Sequence, residues 1–461
     1  MKIMLIFPNF LKHVESHPEL EDNAKGYLWG YASIPGLGLP HIAANTPDEH
    51  EIVFVDDQFE DINFDEKVDL VGISSFTPQF SRAVVIANEF RKRGVPVAMG
   101  GKHITNNPDE ALKYCDHVFI GEGEKTWPLF LQEFKEGKAR KKYSNESIID
   151  VKNLPLPKRT IVHESNYPMD IGTLVCVRGC GLYCNWCALD YTEPRAEGRK
   201  VRVFDFDWIL KDIQSTSFET LYVPCNTIMQ FTSKEFILNL LSVFKQSGKK
   251  FMLATNPIDV ENREKQIPGF IELMGQSGIS SFYYTLNNFS SVIPQKLNER
   301  FAKYTFESDA LTKRCQDAGI EIIPSIFFGS DFDGPDVYDR AMGYLERNNI
   351  VDCEFTISTP YPGSPWFKKM EDEGRLLTKD WFYYNNAHVV FKPNNISAKE
   401  LHDGYIAIWK DFFRKNKERF KNTHVSNLFE TGNYLEGRKK KKLDLSGFAH
   451  FNEDFNKDFI Y

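Results

Sequence analysis

The stretch Cys176-Val177-Arg178-Gly179-Cys180-Gly181-Leu182-Tyr183-Cys184-Asn185-Trp186-Cys187 decides how the rest of the chain is read. Its last three cysteines, Cys180, Cys184 and Cys187, follow C-x3-C-x2-C and put three thiols on one tight loop. Thiolates are the protein ligands of iron–sulfur clusters. Three of them hold three corners of a cubane and leave the fourth iron to a non-protein ligand. The competing readings are a zinc site or inert buried thiols. Structural zinc wants four ligands, commonly as two pairs. Cys176 is the only nearby fourth, and it ends an apolar run, Ile171 to Val175, that reads as a strand entering the core.

The surroundings are those of a soluble globular protein. A chain of 461 residues has room for two or three domains. Hydrophobic residues make up 42% and charged residues 26%, an ordinary globular balance. The net charge of -8 argues against a general nucleic-acid binder, whose affinity comes from neutralising phosphates. The basic run Arg438 to Lys442 reads as a solvated tail. Four of the eight cysteines fall within twelve residues, which points to metal and a reducing compartment rather than to disulfides. No signal peptide is legible, and no apolar run reaches the roughly 18–20 residues that span a bilayer. The expectation is a cytoplasmic protein with no integral membrane segment.

Upstream of the cysteines, short apolar strands alternate with helices. The strands are Lys2–Pro8, Glu51–Asp56, Asp69–Ser75, Val95–Met99 and His117–Ile120, with a helix at Phe80–Arg93 closed by Gly94. This alternation predicts a parallel, doubly wound Rossmann-like sheet over residues 1–140. Such sheets bind ligands beyond the carboxyl ends of their strands. Those ends carry Ser74-Ser75, Gly100-Gly101 and Gly121-Glu122-Gly123-Glu124, and Pro35-Gly36-Leu37-Gly38 forms a glycine-rich turn into a helix. Glycines let a bulky ligand approach the backbone.

Residues 141–165 read as a linker, because Gly137–Arg159 lacks periodicity. Residues 166–365 then repeat strand and helix. Strands are expected at Gly172–Cys176, Thr220–Val223, Lys250–Ala254, Ser281–Leu286, Glu321–Phe328 and Cys353–Ile357. Helices are expected at Asp207–Ser215, Lys234–Gln246, Lys265–Ser277, Ser308–Ala318 and Asp336–Asn348. Six strands in this rhythm predict a partial (β/α)6 barrel, whose chemistry sits at the carboxyl ends of its strands. Residues 366–461 read as a mostly helical cap, with Trp409, Phe412, Phe413 and Phe420 as packing aromatics.

The cysteine loop resembles the signature of the radical S-adenosylmethionine (SAM) enzymes. Trp186 stands where that superfamily has an aromatic residue near the adenine, and Arg178-Gly179 matches its cobalamin-dependent branch. The resemblance extends to Ser74-Ser75, Gly100-Gly101-Lys102-His103, Gly121 to Glu124 and the turn Thr359-Pro360-Tyr361-Pro362-Gly363-Ser364-Pro365, as in the hopanoid methylase and anaerobic porphyrin cyclase relatives. It implies a [4Fe-4S] cluster on Cys180, Cys184 and Cys187, with SAM on the open iron. It implies that Trp186 meets the adenine of SAM, and the carboxyl ends of the barrel strands put Asn226, Thr255, Asn256 and Asn287 facing SAM and substrate. It implies cobalamin contacts from Pro35, Gly36, Leu37, Gly38, Ser74, Ser75, Thr77, Gly100, Gly101, His103, Gly121, Glu122, Gly123 and Glu124, with His103 a hydrogen-bonding residue rather than a cobalt ligand. The chain departs from its relatives at Pro224-Cys225-Asn226 and Tyr284-Thr285-Leu286-Asn287, where acidic SAM contacts are usual. Cys225 there reads as a packed thiol, and no residue is assigned an acid or base role.

The function so implied is methylation of an unactivated carbon through methylcobalamin and a 5′-deoxyadenosyl radical. Two alternatives use the same parts: a cobalamin-dependent cyclase, ring-rearranging or oxidative enzyme without methyl transfer, and a non-catalytic iron–sulfur or corrinoid-binding protein. The expected partners are a small-molecule, natural-product or lipid-like substrate and a one-electron reductant of flavodoxin or ferredoxin type.

Overall fold

The computed structural model describes residues 1–20, 34–181, 184–188, 201–225, 228–286, 289, 309–431, 445–451 and 459. Two parallel six-stranded sheets organise them. The first contains β1 (Lys2–Phe7), β2 (Glu51–Asp56), β3 (Leu70–Ser74), β4 (Val97–Gly100), β5 (His117–Ile120) and β6 (Lys142–Ser144), in the order β2-β1-β3-β4-β5-β6. The central strand β1 is apolar along nearly its whole length because both faces of the sheet are covered: Ile3, Met4, Leu5 and Ile6 are all buried. The helix Thr77–Lys92 supplies one cover, burying Phe80, Ala83, Val84, Ala87 and Phe90 along one stripe. It starts at Pro78 in its first turn and stops before Gly94, whose φ of +78° turns the chain away. Strand β6 lies within the stretch read as linker and pairs with β5 through Tyr143, which stacks on Phe119. Three residues are too few to show periodicity, so nothing in the sequence marked it.

The second sheet contains β7 (Ile171–Thr173), β10 (Thr220–Val223), β11 (Lys250–Thr255), β12 (Ile279–Leu286), β13 (Glu321–Phe328) and β14 (Glu354–Ile357). They lie side by side in chain order, the arrangement of a half-barrel. Between β7 and β10, β8 (Val177–Arg178) and β9 (Arg202–Val203) form a short antiparallel ladder beside the cysteine loop. Alternation along the strands sorts the two faces. Phe251 stacks on Phe244 of the helix Lys234–Ser247, and Phe355 meets Trp409 and Phe412 of the helix Ala398–Phe420, so these residues face outward into the helical layer. Their neighbours in sequence face inward. The helix expected over Lys265–Ser277 is instead two, Pro257–Gln266 and Phe270–Gln276. Pro268 and Gly269, the latter at φ +82°, interrupt it. The aromatic stripe of the final segment packs against the half-barrel, as its spacing suggested.

Candidate active site

The cysteine loop leaves the half-barrel after β7, at the carboxyl end of its first strand. Gly179 holds φ +88°, a left-handed turn that reverses the chain just before Cys180. A side chain on Gly181 would run into the ring of Phe231. Cys180, Cys184 and Cys187 are all partly exposed and none is in a disulfide. The backbone NH of Cys187 donates to the carbonyl of Cys184 at 3.1 Å, which tightens the loop. The donor set fits a cluster held by three thiolates. Trp186 is 44% exposed on the same loop, a bare aromatic face beside the cysteines. The neighbouring thiols are spent otherwise. Cys176 is wholly buried, and burial pushes its thiol well above the ordinary range. Cys225 donates to the carbonyl of Val177 at 3.0 Å, and burial pushes it up to about 11.

Of the residues expected at SAM, Asn226 and Asn287 lie outside the described residues. Thr255 ends β11 fully buried, and its hydroxyl has no hydrogen-bond partner among the described residues. A buried hydroxyl without a partner costs free energy unless a ligand satisfies it. Asn256 is committed elsewhere: its Oδ1 accepts from the backbone of Asp259 at 3.0 Å and caps the helix Pro257–Gln266.

The carboxyl ends of the first sheet form the facing surface. Gly101 has φ +99°, and a Cβ there would lie 2.6 Å from the carbonyl oxygen of Ser75. The backbone is thus bare where β3 and β4 end. Ser75 Oγ is buried without a partner among the described residues, Ser74 Oγ lies within 3.1 Å of the same Cβ position, and Phe76 is 54% exposed beside them. A naked glycine backbone, an unsatisfied hydroxyl and a bare phenyl ring fit a large planar ligand. Gly121, at φ +80°, takes a hydrogen bond from its NH to Thr105 Oγ1 at 3.1 Å. Gly123 packs where a Cβ would meet Ile42 at 2.8 Å, and Gly100 packs against Phe119. Around the first loop, Gly36 lies near Phe7, Leu37 is buried, and Gly38 opens the helix Gly38–Ala44.

His103 is sealed rather than presented. Its ring is fully buried between Phe80 and Trp381, with centroids 4.2 and 5.3 Å away, and Nδ1 lies 3.3 Å from Thr77 Oγ1. Burial pushes its pKa down to about 3, so it is a neutral imidazole packed inside the sheet–helix layer. Thr77 is spent on this contact.

Two contacts join the two ligand-bearing ends. Thr173, the last residue of β7, donates its hydroxyl to the carbonyl of Pro35 at 2.7 Å. Arg178 Nη1 lies 2.6 Å from Glu124 Oε1 and 3.1 Å from Glu122 Oε1, while Arg202 Nη1 lies 2.7 Å from Glu122 Oε2. Burial opposes ionisation of Glu122, yet Arg202 and Arg178 outweigh it and hold the carboxyl below its usual range. Glu122 and Glu124, expected as corrin contacts, therefore anchor the ladder that carries the cysteine loop. His41 lies by this cluster, stacked parallel to Trp208 at 6.3 Å, and among the described residues neither ring nitrogen has a hydrogen-bond partner. Burial, then the Arg178 and Arg159 charges, push it down to about 3.

The interior of the half-barrel holds a polar group that sequence reasoning missed. Glu354 opens β14, paired with Ser325 of β13, which is level with Thr285 near the end of β12. Glu354 Oε2 accepts from Tyr283 OH and from Ser325 Oγ, the latter at 2.9 Å. Tyr222 meets Tyr283 edge-on at 6.1 Å. Burial raises the Glu354 carboxyl above its ordinary value, and both hydroxyls pull against that. The only signal available beforehand was inward parity at these positions, which requires the strand register.

The match to known proteins follows the same division. A B12-binding domain model matches residues 30–131. The bacteriochlorophyllide d C-8(2)-methyltransferase of Chlorobaculum tepidum is 26% identical over 373 residues, covering 78% of this chain and 81% of that protein. The hopanoid C-2 methylase of Rhodopseudomonas palustris is 23% identical, covering 89% of this chain and 76% of the relative. Among solved structures, the radical S-adenosylmethionine methyltransferase TsrM from Kitasatospora setae, with cobalamin and a [4Fe-4S] cluster bound, superposes with a TM-score of 0.55 at 15% identity. That alignment covers 81% of this chain and 78% of TsrM. Among the described residues no helix is long and apolar enough to cross a membrane.

Proposed function

We propose that the chain is a cobalamin-dependent radical SAM enzyme, as its B12-binding domain and its similarity to such methyltransferases support, and that it methylates an unactivated carbon of a small molecule of natural-product type. The observation that carries this reading is the Arg178 contact with Glu122 and Glu124, which ties the cysteine loop to the ligand end of the B12-binding sheet. When bound, the cluster supplies the electron that cleaves SAM, and cobalamin carries the methyl group to be transferred.

The chain's own residues supply placement. Cys180, Cys184 and Cys187 hold the cluster, and Trp186 offers an aromatic face to the adenine. Thr255 Oγ1 is free to bond SAM. Gly101, Ser75 and Phe76 receive the corrin, with Gly100, Ser74 and the turn Pro35 to Gly38 around it. Tyr222, Tyr283, Ser325 and Glu354 line the half-barrel interior and meet the polar part of the substrate. The reductant is a flavodoxin- or ferredoxin-type carrier, and the enzyme works in the cytoplasm.

The test is anaerobic reconstitution with iron, sulfide and hydroxocobalamin, followed by incubation with SAM, reductant and candidate substrates. A corrin band retained through desalting, and S-adenosylhomocysteine and 5′-deoxyadenosine formed alongside methylated product, support the reading. Deoxyadenosine with an unmethylated, cyclised or oxidised product would replace it with the cyclase alternative. SAM left intact by the reduced protein would leave a binding protein.

A further inference from the structure

A second cluster of ligand-type side chains lies apart from the cysteines. His17 precedes the short turn Pro18–Leu20, which carries Glu19, and His402 sits in the first turns of the helix Ala398–Phe420. One nitrogen or oxygen of each lies within 4.8 Å of the other two. The chain brings these residues together from its two ends.

The surroundings fix the state of the buried histidine. His17 is 2% exposed, and its Nε2 lies 2.7 Å from the carbonyl oxygen of Ala387. A carbonyl can only accept, so Nε2 carries the proton and the lone pair of the neutral ring is on Nδ1. A metal-binding histidine almost always donates its other ring NH to such a carbonyl or carboxylate, which orients the ring and sets the tautomer. The receiving segment is itself braced. Asn385 Nδ2 donates to Leu11 O and to Ser16 Oγ, both at 2.9 Å, and Asn385 Oδ1 lies 2.9 Å from His388 Nδ1. The rings of His388 and Tyr405 flank His17 at 5.2 and 5.7 Å, forming an aromatic shell.

We propose that His17, Glu19 and His402 form a binding site for a divalent transition metal of the zinc class, clipping the amino-terminal segment to the carboxyl-terminal helix. Two imidazoles and one carboxylate are a borderline donor set that suits zinc, with solvent at the remaining position. Glu19 is exposed and His402 half-buried, so the ion has a route in from solvent. None of the three residues takes part in the radical or corrin chemistry proposed above, and the site stands or falls separately from it.

The test uses cluster-loaded protein, so that Cys180, Cys184 and Cys187 are occupied. It is dialysed against zinc chloride and analysed for zinc, iron and sulfide. The parent protein should take up about one zinc per chain with iron and sulfide unchanged. Glu19→Gln and His402→Gln should each weaken zinc uptake on the order of tenfold or more, again with iron unchanged. Glu19 is exposed, so its variant keeps the test open should the His402 variant fold poorly. A parent protein that takes up no zinc, or uptake equal in parent and Glu19→Gln, overturns the site.

Discussion

Replacing Arg178 by Gln should loosen the cysteine loop from the B12-binding sheet without touching a ligand atom. The Arg178 side chain is 15% exposed and those of Glu122 and Glu124 are 18% and 6% exposed, so these charges interact largely out of water. Arg202 stays within reach of Glu122 at 2.7 Å, but Glu124 loses the cation 2.6 Å away. Leaving one charge of a buried pair uncompensated typically costs about 3–5 kcal/mol. The retained acid side chains can still reach solvent through the exposed fraction, so we take the lower end, about 3 kcal/mol. If that energy holds the ladder β8–β9 against the loop Gly121 to Glu124, local opening becomes roughly a hundredfold more frequent, at 1.36 kcal/mol per factor of ten. Hydrogen–deuterium exchange of peptides covering these two segments reads this directly, whereas a global melt of a multidomain chain would not. The double variant Arg178→Gln with Glu124→Gln removes both charges and should recover most of the protection, because the penalty lies in the orphaned carboxylate. Exchange within about threefold of the parent in Arg178→Gln, or a double variant as loose as the single one, would refute the clamp.

Other perturbations test the remaining parts of the site. Asp56 is buried against Tyr167 OH at 2.6 Å, and burial lifts its carboxyl from 3.8 to about 6. Between those values the folded chain keeps a proton that the unfolded chain releases, so this residue's contribution to stability falls as pH rises from 4 to 6 and is constant above. Asp56→Asn keeps an acceptor for Tyr167, and it should flatten that window and stabilise the apoprotein at pH 7 by roughly 2–3 kcal/mol, read by denaturant titration at pH 4.5 and 7. Gly101→Ala places a Cβ 2.6 Å from Ser75 O at φ +99°, and it should cost about 2 kcal/mol or more and weaken hydroxocobalamin retention measured by equilibrium dialysis, while iron content stays at the parent level. Glu354→Gln preserves both hydrogen bonds and should melt within about 1 kcal/mol of the parent. Glu354→Leu removes the acceptor shared by Tyr283 OH and Ser325 Oγ and should cost roughly 1–3 kcal/mol by the same melt.

What could be read from the residues depended on whether the physics is local. The cluster loop is local: three thiols and a glycine within eight residues define it before any fold is known. Apolar strands such as Lys2–Phe7 and Glu321–Phe328 are local too, because a strand buried on both faces is a continuous hydrophobic run. The helix break at Pro268-Gly269 is local too, because a proline and a left-handed glycine end the helix where they stand. Strand β6 was illegible for the opposite reason, since its place is decided by pairing with β5 and not by its own three residues. The two site features that sequence reasoning missed are both long-range. Glu122 and Glu124 looked like ligand-loop residues until Arg178, more than fifty positions away, was seen to hold them.

Glu354 is the harder case and shows what a barrel adds. On the chain, Cys353-Glu354-Phe355 reads as the start of an ordinary buried strand, and an acid there is an anomaly. The register turns the anomaly into a design: Phe355 faces Trp409 in the helical layer, so Glu354 must face inward, level with Ser325 and above Tyr283. The hydroxyls of Tyr283 and Ser325 both converge on one carboxylate oxygen, Oε2. A carboxyl raised by burial and held by two hydroxyl donors is a preorganised polar group inside the barrel. A substrate bearing an NH or OH group at that depth would be oriented by it, while the cysteine loop and Gly101 approach from the carboxyl ends of their sheets. On the function proposed above, the half-barrel would select the substrate and the B12-binding sheet would hold the corrin, and the Arg178 contacts with Glu122 and Glu124 tie the two together.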